Sequence, residues 1–338
     1  MQDMKFNEAD LLTVEPSPHI KRRASIRWSM LDVIIALIPA CIFGVYVFGW
    51  RALLVLLISV ASAVLSEFVY QKFCIKKRVM ISDCSAALTG LLLGMNMPAS
   101  VPLWLPVVGS AFAIIIVKQL FGGIGRNFLN PALAARAFLF VSWPTHMGKY
   151  TGLGTSLPLF ANVGEDIQAS ATTLAGIKEG AVPGTSILDL FLGNCDGTIG
   201  EISALLLIIG GIYLLVRGII SWHIPVTYLG TCAILFFAFP QVAGASRLDA
   251  MLYELLSGGL MLGAIYMATD YVTCPITKWG RVIFGIGCGG LTFFFRVFGA
   301  NAEGVSFAIL IMNSLVWYID FATKPRIFGT KGAKRHAG

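Results

Sequence analysis

Ten apolar segments, most of them long enough to cross a lipid bilayer, dominate this sequence and limit what it can fold into. A transmembrane helix needs about twenty predominantly apolar residues, and 57% of the 338 residues are hydrophobic while only 13% are charged. Soluble domains carry about 25% charged residues, so this chain lacks the polar surface that a water-facing globule requires. We predict an all-α integral membrane protein with spans at roughly 31–49, 51–73, 84–97, 103–121, 129–143, 200–217, 223–241, 250–268, 281–299 and 304–322.

Two of these segments, 84–97 and 129–143, are short and interrupted by helix breakers or polar residues. Such segments are tolerated at membrane depth only where protein or a cavity covers the freed backbone groups. The stretches L-L-L-G-M-N-M-P (91–98) and M-A-T-D-Y-V-T-C-P (267–275) are each followed by a hydrophobic span and a G-x-N tripeptide. This pattern indicates an internal repeat of two five-helix halves with broken helices that meet near mid-membrane; the alternative is chance similarity in a glycine-rich chain.

The basic residues indicate the orientation of the chain in the membrane. Lysines and arginines cluster before the first span, after the second and after the last, and with ten spans these clusters share one side, which is the cytoplasm. The net charge of +7 therefore reflects topology rather than nucleic-acid binding. We predict a cytoplasmic N-terminal segment (1–28), a first transmembrane half (29–143), an extracytoplasmic loop (144–199), a second transmembrane half (200–323) and a basic cytoplasmic tail (324–338).

Polar residues inside the apolar segments are candidates for function, because an ionisable group in a membrane costs several kcal/mol unless it is paired or hydrated. Glu67 and Glu254 lie near span ends, where water could reach them, and Lys118 could extend its ammonium to the interface. The other ionisable candidates are Arg136, Asp270 and Arg296. At the helix breaks, Asn96, Asn130, Asp270 and Thr273 could bind a cofactor or a translocated cation, or only cap helix ends.

No metal site is predicted from the cysteines and histidines. The seven cysteines lack the spacing of zinc, haem or iron–sulfur ligands, and the four histidines are dispersed. A redox function would therefore require an organic cofactor.

The loop contains the stretch D-I-Q-A-S-A-T-T-L (166–174), which resembles the flavinylation motif D-x-x-[ST]-G-A-T. In that motif a flavin transferase joins FMN to the last threonine through a phosphoester. Here the acceptor would be Thr172, with Asp166 as the motif acid and Ala171 before the acceptor. The chain departs from the motif at Ala169 and Ser170. Two competing acceptors are Thr173 and Ser170.

Further segments extend the resemblance over nearly the whole chain. They are E-P-S-P-H-I (15–20), S-D-C-S-A-A-L-T-G-L-L-L-G-M-N-M-P (82–98), G-R-N-F-L-N-P-A-L-A-A-R-A-F (125–138) and A-T-D-Y-V-T-C-P (268–275). They resemble the RnfD/NqrB family, whose members belong to Rnf electron-transport complexes and to sodium-pumping NADH:quinone oxidoreductases. The length suits the Rnf member of this family better than its longer homologue.

The resemblance implies an FMN-carrying subunit of an ion-translocating ferredoxin:NAD oxidoreductase in the inner membrane, and a non-covalent riboflavin that it does not locate. It also implies partners: the flavin-bearing RnfG, the membrane proteins RnfA and RnfE, the cytoplasmic NAD- and ferredoxin-linked RnfC and RnfB, the flavin transferase and membrane lipid. Two alternatives stay open, a solute transporter or channel without redox function and the role of the quinone-reducing homologue. The coupling ion, Na⁺ or H⁺, also stays open.

Overall fold

The computed structural model describes residues 25–75, 81–151, 169–170, 173–178, 184–242, 244–299 and 303–325. In this part of the chain the secondary structure is helical apart from one pair of two-residue strands.

The first half consists of five principal helices. They are α1 (Ile26–Phe48), α2 (Trp50–Val69, continued by π-helical turns over Tyr70–Ile75), α3 (Ser85–Met95), α4 (Trp104–Ala111, continued by π-helical turns over Phe112–Gln119) and α5 (Pro131–Ser142). Helix α5 begins at Pro131 because the residues there favour a helix start. The Asn130 side chain accepts hydrogen bonds from the backbone N–H groups of Ala132 (3.0 Å) and Leu133 (3.3 Å), and Pro131 occupies the first helical position.

Short elements form the described parts of the connection between the halves. They are α6 (Pro144–Met147), β1 (Tyr150–Thr151), β2 (Ala169–Ser170), α7 (Thr173–Lys178) and α8 (Ile187–Leu192). The strands pair antiparallel, with Tyr150 opposite Ser170. Helix α7 buries Leu174 and Ile177, and Ile177 packs in one cluster with Val242 and Ala250 of the second half.

The second half consists of α9 (Ala204–Val216), α10 (His223–Ala238), α11 (Arg247–Leu256), α12 (Leu260–Leu262, continued by π-helical turns over Gly263–Met267), α13 (Lys278–Phe298) and α14 (Val305–Thr323). The sequence predicted a span at roughly 250–268, and the structure shows that the helix in this region is broken. Helices α11 and α12 meet at an angle of 66°. Gly258, in the break, has φ +66°, a left-handed conformation that a continuous helix cannot contain.

The prediction of an all-α membrane protein is confirmed in two respects. The described chain is almost entirely helical, and many of its helices are apolar. By length and composition, four helical segments of the described chain can cross a membrane: α1, α2 with its extension, α13 and α14. The bent pair α11–α12 would make a fifth, and α3, α4 with its extension, α5, α9 and α10 are shorter apolar helices. The outer faces carry exposed apolar side chains such as Tyr46 and Val216, each 82% exposed, as lipid contact requires. The count of ten crossings and the inverted repeat stay predictions.

The two halves share one hydrophobic core. Helix α1, the first of its half, packs against α9, the first of the other, and α5 packs against α14, the last helix of each. The break after α3 is joined to the end of the connection by two backbone hydrogen bonds, from Ile199 N–H to Met97 O (3.1 Å) and from Gly200 N–H to Met95 O (2.7 Å). The connection therefore ends inside the interface between the halves.

Candidate functional site

Residues of the first half converge on the end of the π-helical extension of α12, next to the segment that follows it. The Asn130 amide donates to the carbonyl oxygen of Met267 (3.2 Å), and the Asn96 amide lies 3.6 Å from the Met267 sulfur. Both asparagines are almost fully buried. The break after α3 and the start of α5 therefore contact the same residue of the second half.

The segment itself holds the two other predicted residues. The Thr273 hydroxyl donates to the Asp270 carboxylate (3.2 Å). With its amide oriented to satisfy both contacts, Asn313 of α14 donates to Thr273 O (3.1 Å) and accepts from Asn130 N–H (3.3 Å). The structure thus brings Asn96, Asn130, Asp270 and Thr273 together. It also gives Asn130 the helix-capping role that was the alternative to ligand binding.

A cavity, which we call the inner cavity, opens beside this segment. The cavity and the open space at its mouth together measure about 780 Å³. Most of its wall is apolar, and its polar lining includes Asn130, Thr269, Asp270 and Lys118. Asn96 and Thr273 do not line it, so the four predicted residues share a neighbourhood but not one surface.

Lys118, which lines the cavity, and its partner Glu67 are both buried, contrary to expectation. The Lys118 ammonium lies 2.8 Å from a Glu67 oxygen, with both side chains at most 4% exposed. It also donates to Ser85 Oγ (2.6 Å), and the Gln119 amide donates to the same Glu67 oxygen (2.6 Å). The predictions that water reaches Glu67 and that Lys118 extends to the interface are therefore wrong, because both side chains are buried and pair with each other.

Glu254 is likewise buried rather than solvated. Its carboxylate lies 2.9 Å from the Arg296 guanidinium, with both side chains at most 4% exposed. Arg296 also donates to Ser257 O (3.0 Å), at the break between α11 and α12. The pair joins α11 to α13 and fixes one side of the bend.

Arg136 lies at the centre of a third group of polar residues, which we call the Arg136 cluster: Arg136, Asn96, Glu201, Glu303, Tyr150 and Ser306. The guanidinium donates to Asn96 Oδ1 (3.0 Å), Ser306 Oγ (3.1 Å) and Glu201 Oε1 (3.4 Å), and it forms an ion pair with Glu303. The Tyr150 hydroxyl donates to the other Glu303 oxygen. Burial, the largest cause, and the nearby Glu303 carboxylate raise the pKa of the Tyr150 phenol, so it remains a neutral donor.

Sequence reasoning missed both carboxylates of this cluster. Glu201 stands at the edge of an apolar run and Glu303 between two runs, where acidic residues usually face water. Their partner Arg136 is 65 and 167 residues away along the chain. The one available signal was an arginine inside an apolar segment, which requires a negative partner somewhere.

The flavinylation-like stretch lies partly outside the described residues. Thr172, Asp166 and Ala171 are among those outside. On either side of Thr172, the backbone of Ser170 belongs to β2 and Thr173 begins α7. Thr173 lines a smaller pocket, the outer pocket, together with Glu201, Glu303 and Ser257; it measures about 340 Å³ when the open space at its mouth is included.

The rest of the connection is held by local contacts. The Ser186 hydroxyl accepts from Asp189 N–H at the start of α8 (3.1 Å), and its own hydrogen bond to the carboxylate lowers the pKa of Asp189. Burial raises the pKa of the Cys195 thiol to about 12. Within the described ranges no three His, Cys, Asp or Glu side chains come close enough to hold a metal ion.

Comparison with known proteins shows the family of the chain. The profile of the NQR2, RnfD, RnfE family matches residues 13–329. The D subunit of the Na⁺-translocating ferredoxin:NAD⁺ oxidoreductase complex of Acetobacterium woodii is 47% identical, over 98% of this chain and 99% of its own. The D subunit of the proton-translocating complex of Clostridium ljungdahlii is 39% identical over 95% and 97%, and that of an ion-translocating oxidoreductase complex of Stutzerimonas stutzeri is 39% identical over 91% and 93%. The chain belongs to the NQR2, RnfD, RnfE family.

Proposed function

We propose that this chain is the flavin-bearing membrane subunit of an ion-translocating ferredoxin:NAD oxidoreductase. The observation that carries the proposal is the near full-length similarity to the D subunits of such complexes. In this role it assembles with the flavin-bearing RnfG, the membrane proteins RnfA and RnfE, and the cytoplasmic RnfB and RnfC, and it is not catalytic alone. The two relatives differ in the ion that their names give, Na⁺ or H⁺, so the similarity does not choose the coupling ion.

We propose Thr172 as the site where a flavin transferase attaches FMN. The choice of Thr172 rests on its place in the motif-like stretch, and the packing of the adjacent helix α7 onto the second half through Leu174 and Ile177 would hold an attached flavin in place. A phosphoester on this stretch would keep the flavin at a fixed place on the protein.

In-gel flavin fluorescence tests the attachment. Wild-type protein produced together with a flavin transferase should give a fluorescent band on a denaturing gel, and Thr172→Ala should abolish it. The matched variants Thr173→Ala and Ser170→Ala should keep the band. A band that persists in Thr172→Ala contradicts the assignment. A wild-type chain without flavin that takes up solute by itself would favour the transporter alternative.

The inner cavity is our proposed site for a second, non-covalent flavin such as riboflavin. Binding pockets for small molecules combine apolar walls with a few polar groups, and the inner cavity has a lining of this kind. The apolar side chains would hold a flat ring and exclude water, while Asn130, Thr269 and Asp270 would orient its polar edge. When bound, a flavin exchanges one or two electrons and so links carriers of both kinds.

Flavin release from Thr172→Ala protein tests this second site. Acid precipitation of the purified variant should release non-covalent flavin. Leu92 lines the cavity, so adding Leu92→Trp should fill the space and remove that flavin. Ile42→Trp, at a position 65% exposed on α1, is the control and should retain it. If Thr172→Ala protein releases no flavin, the proposal is wrong.

We propose ten membrane crossings with both termini in the cytoplasm and the connection outside. The pairing of equivalent helices across the two halves, α1 with α9 and α5 with α14, supports an inverted repeat. A membrane-impermeant maleimide on intact cells, with the native cysteines replaced, should label Gly184→Cys in the connection. It should label Ala333→Cys in the basic tail only after lysis. The reverse pattern would invert the proposed orientation.

A further inference from the structure

The ion pairs in the described part of the chain divide into balanced and unbalanced groups. Three of them match one cation with one carboxylate: Lys118 with Glu67, Arg296 with Glu254, and Arg217 with Asp32. In the Arg136 cluster, one guanidinium nitrogen faces two carboxylates, Glu201 and Glu303. With both carboxylates ionised, this cluster carries an excess negative charge.

No other cation of the described chain lies within ion-pair distance of Glu201 or Glu303. The titratable groups facing the two carboxylates from the surrounding elements are Arg136 of α5, Tyr150 of β1, and Cys195 and Asp196 of the connection. Tyr150 and Cys195 are neutral, because burial raises the pKa of each. These two groups therefore do not cancel the excess negative charge.

Burial makes this excess costly. The side chains of Arg136 and Glu201 are 6% and 4% exposed, and that of Glu303 is 17% exposed. Two carboxylates that share one site do not both ionise readily, and an uncompensated buried charge is normally removed by protonation. One proton on either carboxylate would leave a balanced pair with Arg136.

A second, independent observation points to a proton at this place. Ser257 is 2% exposed and its hydroxyl oxygen has no hydrogen-bond partner in the described structure. It lines the outer pocket together with Glu201 and Glu303. An unpartnered buried hydroxyl beside two carboxylates can accept from a carboxylic acid directly or through a water molecule in the pocket.

We propose that the Arg136 cluster is a proton-binding site, in which Glu201 and Glu303 share one exchangeable proton and the outer pocket connects them to water. In the binding step, hydronium transfers a proton to a carboxylate oxygen and leaves a water molecule in the pocket. Proton binding at the Arg136 cluster is a property beyond the proposed flavin-carrying role, and it does not require a bound flavin.

Infrared spectroscopy of purified full-length protein in H₂O and D₂O tests the proposal directly. The wild-type spectrum should contain a protonated-carboxyl C=O band that shifts in D₂O. Glu201→Gln and Glu303→Gln should each remove this same band, because either variant leaves one carboxylate balanced by Arg136. Glu254→Gln alters a balanced pair and should leave the band in place. A band that survives both Glu201→Gln and Glu303→Gln would overturn the proposal.

Thermal unfolding provides a second readout that separates a proton from a bound cation. The Glu201→Gln protein should fold and should lose less stability than wild type on going from neutral to alkaline pH, where the shared proton leaves. If neither Glu201→Gln nor Glu303→Gln folds, the excess-charge argument is wrong. If the band is absent from wild type and Na⁺ alone raises its melting temperature, with the rise lost in Glu201→Gln, then a cation occupies the site instead.

Discussion

At the scale of single residues, the Lys118–Glu67 pair shows how a membrane protein accommodates two charges next to a cavity. Both side chains are nearly inaccessible and the ammonium lies 2.8 Å from the carboxylate. Removal of one partner leaves the other as an unpaired buried charge, which typically costs more than the pair itself contributes.

Lys118→Met should therefore destabilise the protein by about 3–5 kcal/mol. The measurement is thermal or denaturant unfolding in detergent. Lys278→Met is the matched control, because Lys278 is exposed at the start of α13 and substitutions at exposed positions usually change stability by about 0.5 kcal/mol or less. Equal losses in the two variants would contradict the burial argument.

The cysteines should differ sharply in reactivity. Only the thiolate reacts with a maleimide, and burial raises the pKa of Cys195 to about 12. At neutral pH, mass spectrometry of the folded protein should therefore show Cys195 unmodified and the exposed Cys74 labelled. Denaturation should make Cys195 reactive. Rapid labelling of Cys195 in the folded protein would show that the connection does not cover it.

Residue types alone identified part of the polar interior. Asparagine, aspartate and threonine at helix breaks are visible in sequence, and the structure gathers Asn96, Asn130, Asp270 and Thr273 around one segment. The partners of Arg136 could not be predicted, because they are set by packing between segments far apart in the chain.

At the scale of elements, the bend between α11 and α12 is the main departure from the apolar pattern. A run of apolar residues indicates only that the segment avoids water. The run looks the same for one straight helix as for two helices that meet at an angle of 66°. The S-G-G sequence at 257–259 was the available signal, since glycines permit a left-handed backbone.

Gly258→Ala should destabilise this bend. The residue has φ +66°, and an added Cβ would lie 2.8 Å from a Leu174 methyl group. A left-handed alanine costs about 1–2 kcal/mol, and the contact with α7 adds to it. The melting temperature should fall relative to Gly230→Ala, a helical position with nothing within 4 Å, where alanine should be neutral or stabilising. A similar melting temperature for both variants would argue against a rigid bend.

At the scale of the whole molecule, the end of the connection and α1 form part of the contact between halves. A Cβ at Gly44 of α1 would lie 2.5 Å from the Ile199 carbonyl oxygen. That backbone is already fixed by hydrogen bonds from Ile199 and Gly200 to the break after α3, so it cannot move aside cheaply.

Gly44→Ala should therefore destabilise the protein by about 1–3 kcal/mol, the usual range for overpacking. Gly290→Ala, where a Cβ meets nothing within 4 Å, is the control. Thermal unfolding in detergent measures both. Wild-type stability in Gly44→Ala would indicate that the halves are loosely joined.

The π-helical turns have a consequence for how the inner cavity could arise or be lost. One turn carries Lys118 in the first half and another carries Tyr266 in the second, and both residues line the cavity. A π-helical turn holds an extra residue relative to an α-helix. Deletion of one residue before Lys118 would remove that extra residue and let the turn revert to α-helix, which would change the backbone position of Lys118 at the cavity. Single-residue insertions and deletions would thus change the shape of this cavity more than substitutions would, while the apolar segments stay intact.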